Sequence, residues 1–130
     1  GRWDCTTKNG ITWILDGAHC PFSAANLHRN LEFYYPDQPV AWILFMMKDK
    51  NIKEFLEKLQ PGPNDAFFFF QRSHPRAVTQ AFLEEMTLKL FGKPCPLLEP
   101  DRSIPETDRP IRVVTGSFYH LDEIQNKWIN

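Results

Sequence analysis

Apolar residues occur along the chain in short runs that alternate with segments of helical spacing. Four runs are typical of buried β-strands, at 11–15, 40–47, 65–71 and 111–115, and a short edge strand is expected at Leu97-Leu98. Apolar positions three and four residues apart predict helices at 22–34, 51–59, 75–91 and 122–129. Pro36, the segment 60–63 (QPGP) and Gly92 mark the ends of the first three helices. This alternation of strands and helices predicts a series of βα units.

Repeated βα units predict an α/β domain with a Rossmann-like, three-layer architecture. A mostly parallel sheet would carry helices on both faces. A length of 130 residues suits a single domain covering 1–130. The apolar runs are far shorter than the ~20 residues that a membrane-spanning helix requires. A net charge of −1 gives no strong field for nucleic acid or an anionic membrane.

Ligands of parallel α/β sheets bind at the carboxyl ends of the strands, so polar residues directly after strands are the candidates for a site. Asp16 and His19 follow the first predicted strand, where a carboxylate can accept from ribose hydroxyls and a helix start favours anions. The ordinary alternative is an Asp that supports a turn and a His that caps or packs. Lys48 and Lys50 follow the second strand and can meet a phosphate or carboxylate, or lie on a solvated turn.

Backbone amides and hydroxyls of the segment Thr115-Gly116-Ser117, after the last strand, can hold an anion. Residues 72–74 follow the third strand, where Ser73 is expected to cap the third helix. His28 and His120 are expected to be structural or surface residues.

Several common nucleotide-binding and catalytic motifs are absent from the sequence. Neither phosphate-binding glycine motif, G-x-x-x-x-G-K-[ST] or G-x-G-x-x-G, occurs, and neither does G-x-S-x-G or H-E-x-x-H. Cys5, Cys20 and Cys95 are odd in number and widely spaced, which indicates free thiols rather than a disulfide framework or a metal site. The chain therefore has no phosphate cradle of its own for a nucleotide.

Four segments in order resemble one known family. The segment 15–19 (LDGAH), followed by Pro21, resembles the D-G-A-H-x-P signature of the folylpolyglutamate synthases in the Mur ligase superfamily. Gly1-Arg2 resembles the end of that family's P-G-R segment, Lys48-Asp49-Lys50 its [RK]-D-K-[DN] turn, and 113–119 (VVTGSFY) its V-T-G-S-L-Y segment. The chain departs from the family at Cys20, where Asn is commoner, and at Phe118, where Leu is. Peptidoglycan ligases more often have Tyr at the position of Gly17.

The resemblance implies an ATP-dependent, magnesium-requiring ligase that adds L-glutamate to folate through an acyl phosphate. In that family the phosphate loop, the magnesium ligands and most of the folate site lie in an N-terminal ATPase domain. The chain does not begin with Met, and the resemblance identifies it as the C-terminal domain alone, inactive without its ATPase domain. It also implies a monomeric, cytoplasmic enzyme without nucleic-acid or membrane partners.

The family's roles transfer to six residues. His19 and Ser117 would be catalytic residues facing the incoming glutamate, while the nucleotide-binding residues would be Arg2, Asp16, Lys48 and Lys50. Two alternatives stay open at this point. One is a ligase for a peptidoglycan precursor, and the other is a non-catalytic α/β binding module, which the missing phosphate loop favours.

The fold and these roles together predict a specific geometry. Asp16, His19, Lys48 and Ser117 should gather along one open, polar edge of the sheet, with Gly62 and Gly92 at the opposite edge.

Overall fold

A computed structural model describes residues 3–48, 51–98, 109–117 and 120–129. The elements are β1 (Asp4–Lys8), β2 (Ile11–Leu15), α1 (Pro21–Tyr34), β3 (Val40–Leu44), α2 (Ile52–Leu59), β4 (Ala66–Phe70), α3 (Gln80–Phe91), β5 (Leu97–Leu98), β6 (Ile111–Thr115) and α4 (Leu121–Ile124), which continues as a π-helical segment over Gln125–Ile129. The six strands form one sheet in the order β1-β2-β6-β3-β4-β5. Among the described pairs of neighbouring strands, β1–β2 is antiparallel and the others are parallel. The mostly parallel α/β sheet expected from the sequence is confirmed.

Helices cover both faces of this sheet. Leu27 of α1, Phe55 of α2 and Leu83 of α3 are buried in one apolar cluster on the first face. Ile124 of α4 and Ile129 of the π-helical segment belong to a second cluster on the other face. The domain therefore has three layers, with the three longer helices on one side.

Strand β1 was not predicted from the sequence. It pairs with β2 through a two-residue turn at Asn9 and Gly10, whose φ angles are 54° and 79°. These left-handed conformations suit the tight turns of β-hairpins and explain the Asn-Gly pair. All five residues of β1 are exposed, so the strand lacks the apolar pattern that identified the others.

Helix α3 begins at Gln80, five residues later than the predicted start of the helix at 75–91. Thr79 is the N-cap residue, and its side chain accepts a hydrogen bond from the backbone N–H of Phe82 at 3.1 Å. The expectation that Ser73 caps this helix is therefore wrong.

The residues before α3 pair instead with the chain after β3. Regular pairing of β3 ends at Leu44, although the apolar run predicted a strand to Met47. Met47 then forms an isolated antiparallel bridge with Ala77. This bridge pairs Ala77 with the chain after β3, so regular helix begins only beyond it, at Gln80.

Candidate functional site

The segments after β2 and β6 meet at the carboxyl edge of the sheet. The carbonyl oxygen of Ala18 accepts hydrogen bonds from the N–H of Gly116 at 2.8 Å and the hydroxyl of Thr115 at 3.2 Å. The N–H of Asp16 donates to the carbonyl of Val114 at 3.0 Å. The D-G-A-H and T-G-S segments thus form one hydrogen-bonded unit.

Gly116 allows this unit to lie against the segment after β3. Its φ is +106°, and a Cβ atom here would lie 2.5 Å from both the Sδ of Met46 and the carbonyl oxygen of Phe45. No other residue type fits both this backbone conformation and this space. The ends of β2, β6 and β3 are therefore packed closely at one edge.

This packing changes one interpretation of the Thr115-Gly116-Ser117 segment. The amide of Gly116 and the hydroxyl of Thr115, expected to be available for an anion, both donate to Ala18. That expectation is wrong for these two groups, because they hold two segments together. Ser117 follows them and is itself buried.

Asp16 supports a turn, which was the ordinary alternative to binding a ribose. Its Oδ1 accepts a hydrogen bond from the N–H of Ala18 at 2.9 Å, and only 4% of the residue is exposed. Burial raises the pKa of Asp16, and the hydrogen bond from Ala18 opposes this rise. The carboxyl group therefore shapes the loop that carries His19.

His19 is half-buried at the start of α1. Its Nδ1 lies 2.9 Å from the carbonyl oxygen of Gly17, and because a carbonyl only accepts, Nδ1 must donate. In the neutral ring the lone pair is then on Nε2, which can accept a proton or a hydrogen bond. The backbone N–H of His19 donates to the Oγ of Ser23 at 3.1 Å, which ties the residue to α1.

Cys20, the departure from the family pattern, lies beside His19 at the N-cap of α1. Its Sγ is 3.2 Å from the Oγ of Ser23, and its N–H donates to the same oxygen at 3.1 Å. Hydrogen bonds with Ser23 lower the pKa of the Cys20 thiol. The thiol thus takes up part of the polar bonding at the start of this helix.

Lys48 lies at the same edge but on the side of β4. Its side chain is exposed, and its backbone N–H donates to the carbonyl of Arg76 at 2.6 Å. Arg2 and Lys50, the other two nucleotide-binding candidates, lie outside the described residues.

The parallel strands confirm the predicted placement of Asp16, His19, Lys48 and Ser117 at one edge. That edge is less open than expected, because Asp16 and Ser117 are buried and only His19 and Lys48 reach the surface.

Gly62 and Gly92 follow helices and lie at the opposite edge, as predicted. A cavity of about 410 Å³ opens there between the ends of α1 and α2. One wall includes Asp65, whose carboxylate accepts hydrogen bonds from the N–H groups of Val40 and Gly62 and from the Nε1 of Trp42 at 2.8–2.9 Å. These bonds give Asp65 a structural role.

His120 is a buried polar residue at the carboxyl edge that sequence reasoning assigned no special place. It is 0% exposed, and its ring lies 5.4 Å from that of Phe45 and 5.6 Å from that of Phe70. Within the part of the chain that the structure describes, neither ring nitrogen has a hydrogen-bond partner of normal geometry, although the backbone of Ile43 and Thr115 is close. Burial lowers the pKa of His120 to about 3.

Two further properties concern metals and membranes. Within 3–48, 51–98, 109–117 and 120–129, no group of three or more His, Cys, Asp or Glu side chains is arranged to hold a metal ion. No helix in these ranges combines the length and apolar character needed to cross a bilayer.

A family model described as "Mur ligase, glutamate ligase domain" matches residues 1–115. The chain belongs to this family. This Mur ligase domain is similar to the folylpolyglutamate synthase of Thermotoga maritima, with 28% identity and a TM-score of 0.79 over 97% of this chain. The synthetase of Helicobacter pylori gives 20% identity and a TM-score of 0.74 over 96% of this chain. The bifunctional folylpolyglutamate synthase/dihydrofolate synthase of Yersinia pestis, complexed with AMPPNP and a Mn ion, gives 18% identity and a TM-score of 0.75 over 100% of this chain.

The Mur ligase domain spans only about 30% of the length of these solved relatives. No curated protein matched the sequence. The resemblance to the C-terminal domains of folylpolyglutamate synthases, first drawn from four short segments, is confirmed over nearly the whole chain.

Proposed function

We propose that this domain is the glutamate-binding and nucleotide-closing C-terminal part of an ATP-dependent ligase that adds L-glutamate to folate. The matched family and the solved folylpolyglutamate synthases support this proposal. The remaining 70% of such relatives leaves room for a separate ATPase domain, which would supply the phosphate loop and most of the folate site.

The reaction joins a carboxylate of folate to the amine of glutamate. ATP with Mg²⁺ supplies the phosphoryl group that activates the carboxylate as an acyl phosphate. The amine nitrogen then forms a bond to the acyl carbon, inorganic phosphate leaves, and the nitrogen loses a proton. The domain's contribution to such a reaction is mainly orientation of the glutamate and stabilisation of charge.

One observation carries the proposal most strongly. The carbonyl of Ala18 binds both Gly116 and Thr115, so His19 and Ser117 belong to one rigid unit although they are distant in sequence. With Nδ1 engaged by Gly17, the Nε2 of His19 is suited to accept a hydrogen bond from the ammonium or amine of glutamate. Ser117 would meet the same substrate from the β6 side.

The nucleotide would lie on the same edge. Lys48 is exposed there and fits a phosphate oxygen, as Arg2 and Lys50 would from positions outside the described residues. Asp16 fits a ribose less directly, since its Oδ1 is occupied by Ala18 and the residue is almost completely buried. A contact from Asp16 to the ribose would use Oδ2.

The test is glutamate incorporation by the complete ligase that carries this domain. His19→Ala and Ser117→Ala should each lower kcat/KM for glutamate about 10- to 150-fold, the effect of losing one hydrogen bond to a charged group. The KM for ATP should change little in both variants. His28→Ala, on the half-buried part of α1, is the matched control and should behave as wild type.

Wild-type kinetics in folded His19→Ala and Ser117→Ala variants would remove the proposed glutamate site from this edge.

A further inference from the structure

The cavity at the amino edge of the parallel strands has the size of a ligand site. It lies between the last turns of α1 and α2 and the loop before β4, and its volume is about 410 Å³. Small-molecule sites in proteins have volumes of roughly 300–1,000 Å³. We call it the amino-edge cavity. The proposed glutamate site is at the opposite, carboxyl edge, so a ligand here would be independent of the proposed function.

The side chains around the amino-edge cavity carry negative charge. Glu32, Asp37 and Asp65 line it, and none of its described lining residues is a lysine or an arginine. Among the residues that the structure describes, no hydrogen bond or ion pair engages the carboxylate of Glu32 or Asp37. The carboxylate of Asp65 accepts only from neutral groups, two backbone N–H groups and the indole of Trp42. The cavity therefore favours a cation.

Two helix C-termini strengthen this preference. Helices α1 and α2 both end beside the cavity, at Tyr34 and Leu59, and the last carbonyls of a helix carry partial negative charge. The last turn of α1 has no basic residue to offset this charge and contains Glu32 instead. The last turn of α2 contains Lys58, which does not line the cavity. The carboxylate of Glu32 is thus unfavourably placed in the domain alone, and a bound cation would relieve the repulsion.

The backbone around the cavity is held in a fixed shape. Asp37 and Gln60 line it with φ angles of 60° and 48°. Such left-handed conformations are uncommon for residues other than glycine and concentrate at functional sites, where the surrounding structure maintains them. Behind the loop that carries Asp65, the Nζ of Lys93 donates to the carbonyls of Pro63 and Asp65 at 2.7 and 2.6 Å. The cavity is therefore formed before a ligand binds, and little order is lost on binding.

We propose that the amino-edge cavity binds a linear aliphatic polyamine. The amines of such a molecule are protonated at neutral pH, and methylene chains separate their charges. The ammonium groups would donate to the carboxylates of Glu32 and Asp37, and the methylenes would pack on Leu31 and Leu59, which also line the cavity. A single metal ion fits less well, because no group of three or more His, Cys, Asp or Glu in the described ranges is arranged to hold one. Each ion pair at an exposed carboxylate is weak, so affinity should increase with the number of ammonium groups.

Direct binding to the 130-residue chain tests this proposal. The probes are spermidine, which has three amines, n-butylamine, which has one, and Mg²⁺. The signal is the indole N–H resonance of Trp42 in nuclear magnetic resonance, because Trp42 lines the cavity and its Nε1 donates to Asp65 at 2.9 Å. Spermidine should shift this resonance and bind about tenfold more tightly than n-butylamine. No shift with spermidine, or an equal shift with Mg²⁺ at the same concentration, would overturn the proposal.

Charge-removing variants locate the binding. Glu32→Gln and Asp37→Asn should each weaken spermidine binding about three- to fivefold, and the double variant about tenfold. Both replacements keep the size of the side chain, and asparagine tolerates the left-handed backbone at position 37, so the fold should be retained. Glu57→Gln removes one exposed charge from α2 outside the cavity and is the matched control, which should bind spermidine as wild type does. Equal weakening by Glu32→Gln and Glu57→Gln would mean general attraction to the surface and would overturn the site.

Discussion

His120 shows how one buried side chain links the stability of the domain to pH. The ring lies 5.4 Å from that of Phe45 and 5.6 Å from that of Phe70, and its nitrogens have no hydrogen-bond partner among the described residues. Burial is the main reason that the pKa of His120 falls to about 3. The positive charge of Arg72 acts in the same direction. Because the unfolded chain binds a proton near pH 6.5 and the folded chain does not, acidification favours unfolding.

Stability contributed by neutral His120 is fully present above about pH 6.5 and is lost as pH falls from there towards 3. Between pH 7 and pH 5 this loss amounts to about 2 kcal/mol in the free energy of unfolding. His120→Leu should remove this part of the pH dependence, measured by urea denaturation at several pH values. His28→Leu is the control and should keep the wild-type slope. The same slope in His120→Leu would show that His120 is not buried in the neutral form.

Gly116 and Gly10 both have positive φ. Replacing each with alanine therefore allows the cost of the backbone conformation to be separated from the cost of steric crowding. A Cβ at Gly116 would lie 2.5 Å from Met46 and Phe45, whereas a Cβ at Gly10 would meet nothing within 4 Å. Gly10→Ala should cost about 1–2 kcal/mol for its backbone conformation alone. Gly116→Ala should cost about 1–3 kcal/mol more, because the close contact must also be relieved.

Thermal and urea denaturation of the two variants measure this difference. Equal destabilisation would mean that the segments after β6 and β3 are not in close contact. The expected result is a loss in both variants that is larger in Gly116→Ala by about 1–3 kcal/mol.

At the scale of elements, Asp65 connects the start of β4 to β3 and to the loop after α2. Its carboxylate accepts from the N–H groups of Val40 and Gly62 and from the indole of Trp42. Asp65→Ala should lower the free energy of unfolding by about 3–5 kcal/mol, because it leaves these donors without their acceptor. Glu57→Ala, an exposed position on α2, should change it by less than about 0.5 kcal/mol.

Chemical denaturation followed by tryptophan fluorescence would report on Asp65→Ala directly, since Trp42 is one of its partners. A loss similar to that of Glu57→Ala would contradict the role given to Asp65.

The sequence predicts the central strands and the longer helices well because their apolar positions are buried in the two clusters. Ile14, Trp42 and Val113 are buried as their apolar runs indicated. β1 was missed because all of its residues are exposed, and only the Asn9-Gly10 pair pointed to it.

The start of α3 was missed for a different reason. Residues 75–79 are compatible with a helix locally, but they pair with the chain after β3, and that long-range bridge cannot be read from local spacing.

The candidate site was predictable in part. Placing residues after parallel strands was enough to bring Asp16, His19, Lys48 and Ser117 to one edge. The burial of Asp16 and Ser117, and the bonds that occupy Gly116 and Thr115, depend on how the loops pack and were not visible in the sequence.

At the scale of the whole molecule, the domain carries one side of a proposed site. The sequence contains no glycine-rich phosphate loop, and the described edge presents His19 and Lys48 rather than an enclosed nucleotide site. The purified 130-residue chain should therefore hydrolyse no ATP and ligate no glutamate. A phosphate-release assay measures this, and turnover above a heat-denatured control would contradict it.

The ligase assignment is tested most directly by the product of the complete protein that carries this domain. The protein would be incubated with ATP, Mg²⁺, L-glutamate and either a folate or a peptidoglycan precursor, and the products identified by mass spectrometry. A folate product heavier by one glutamate residue, formed only with ATP and formed about 10- to 150-fold more slowly by His19→Ala, is the result that the proposed function predicts. Transfer to the peptidoglycan precursor but not to folate, or no ATP-dependent product with either, would contradict it.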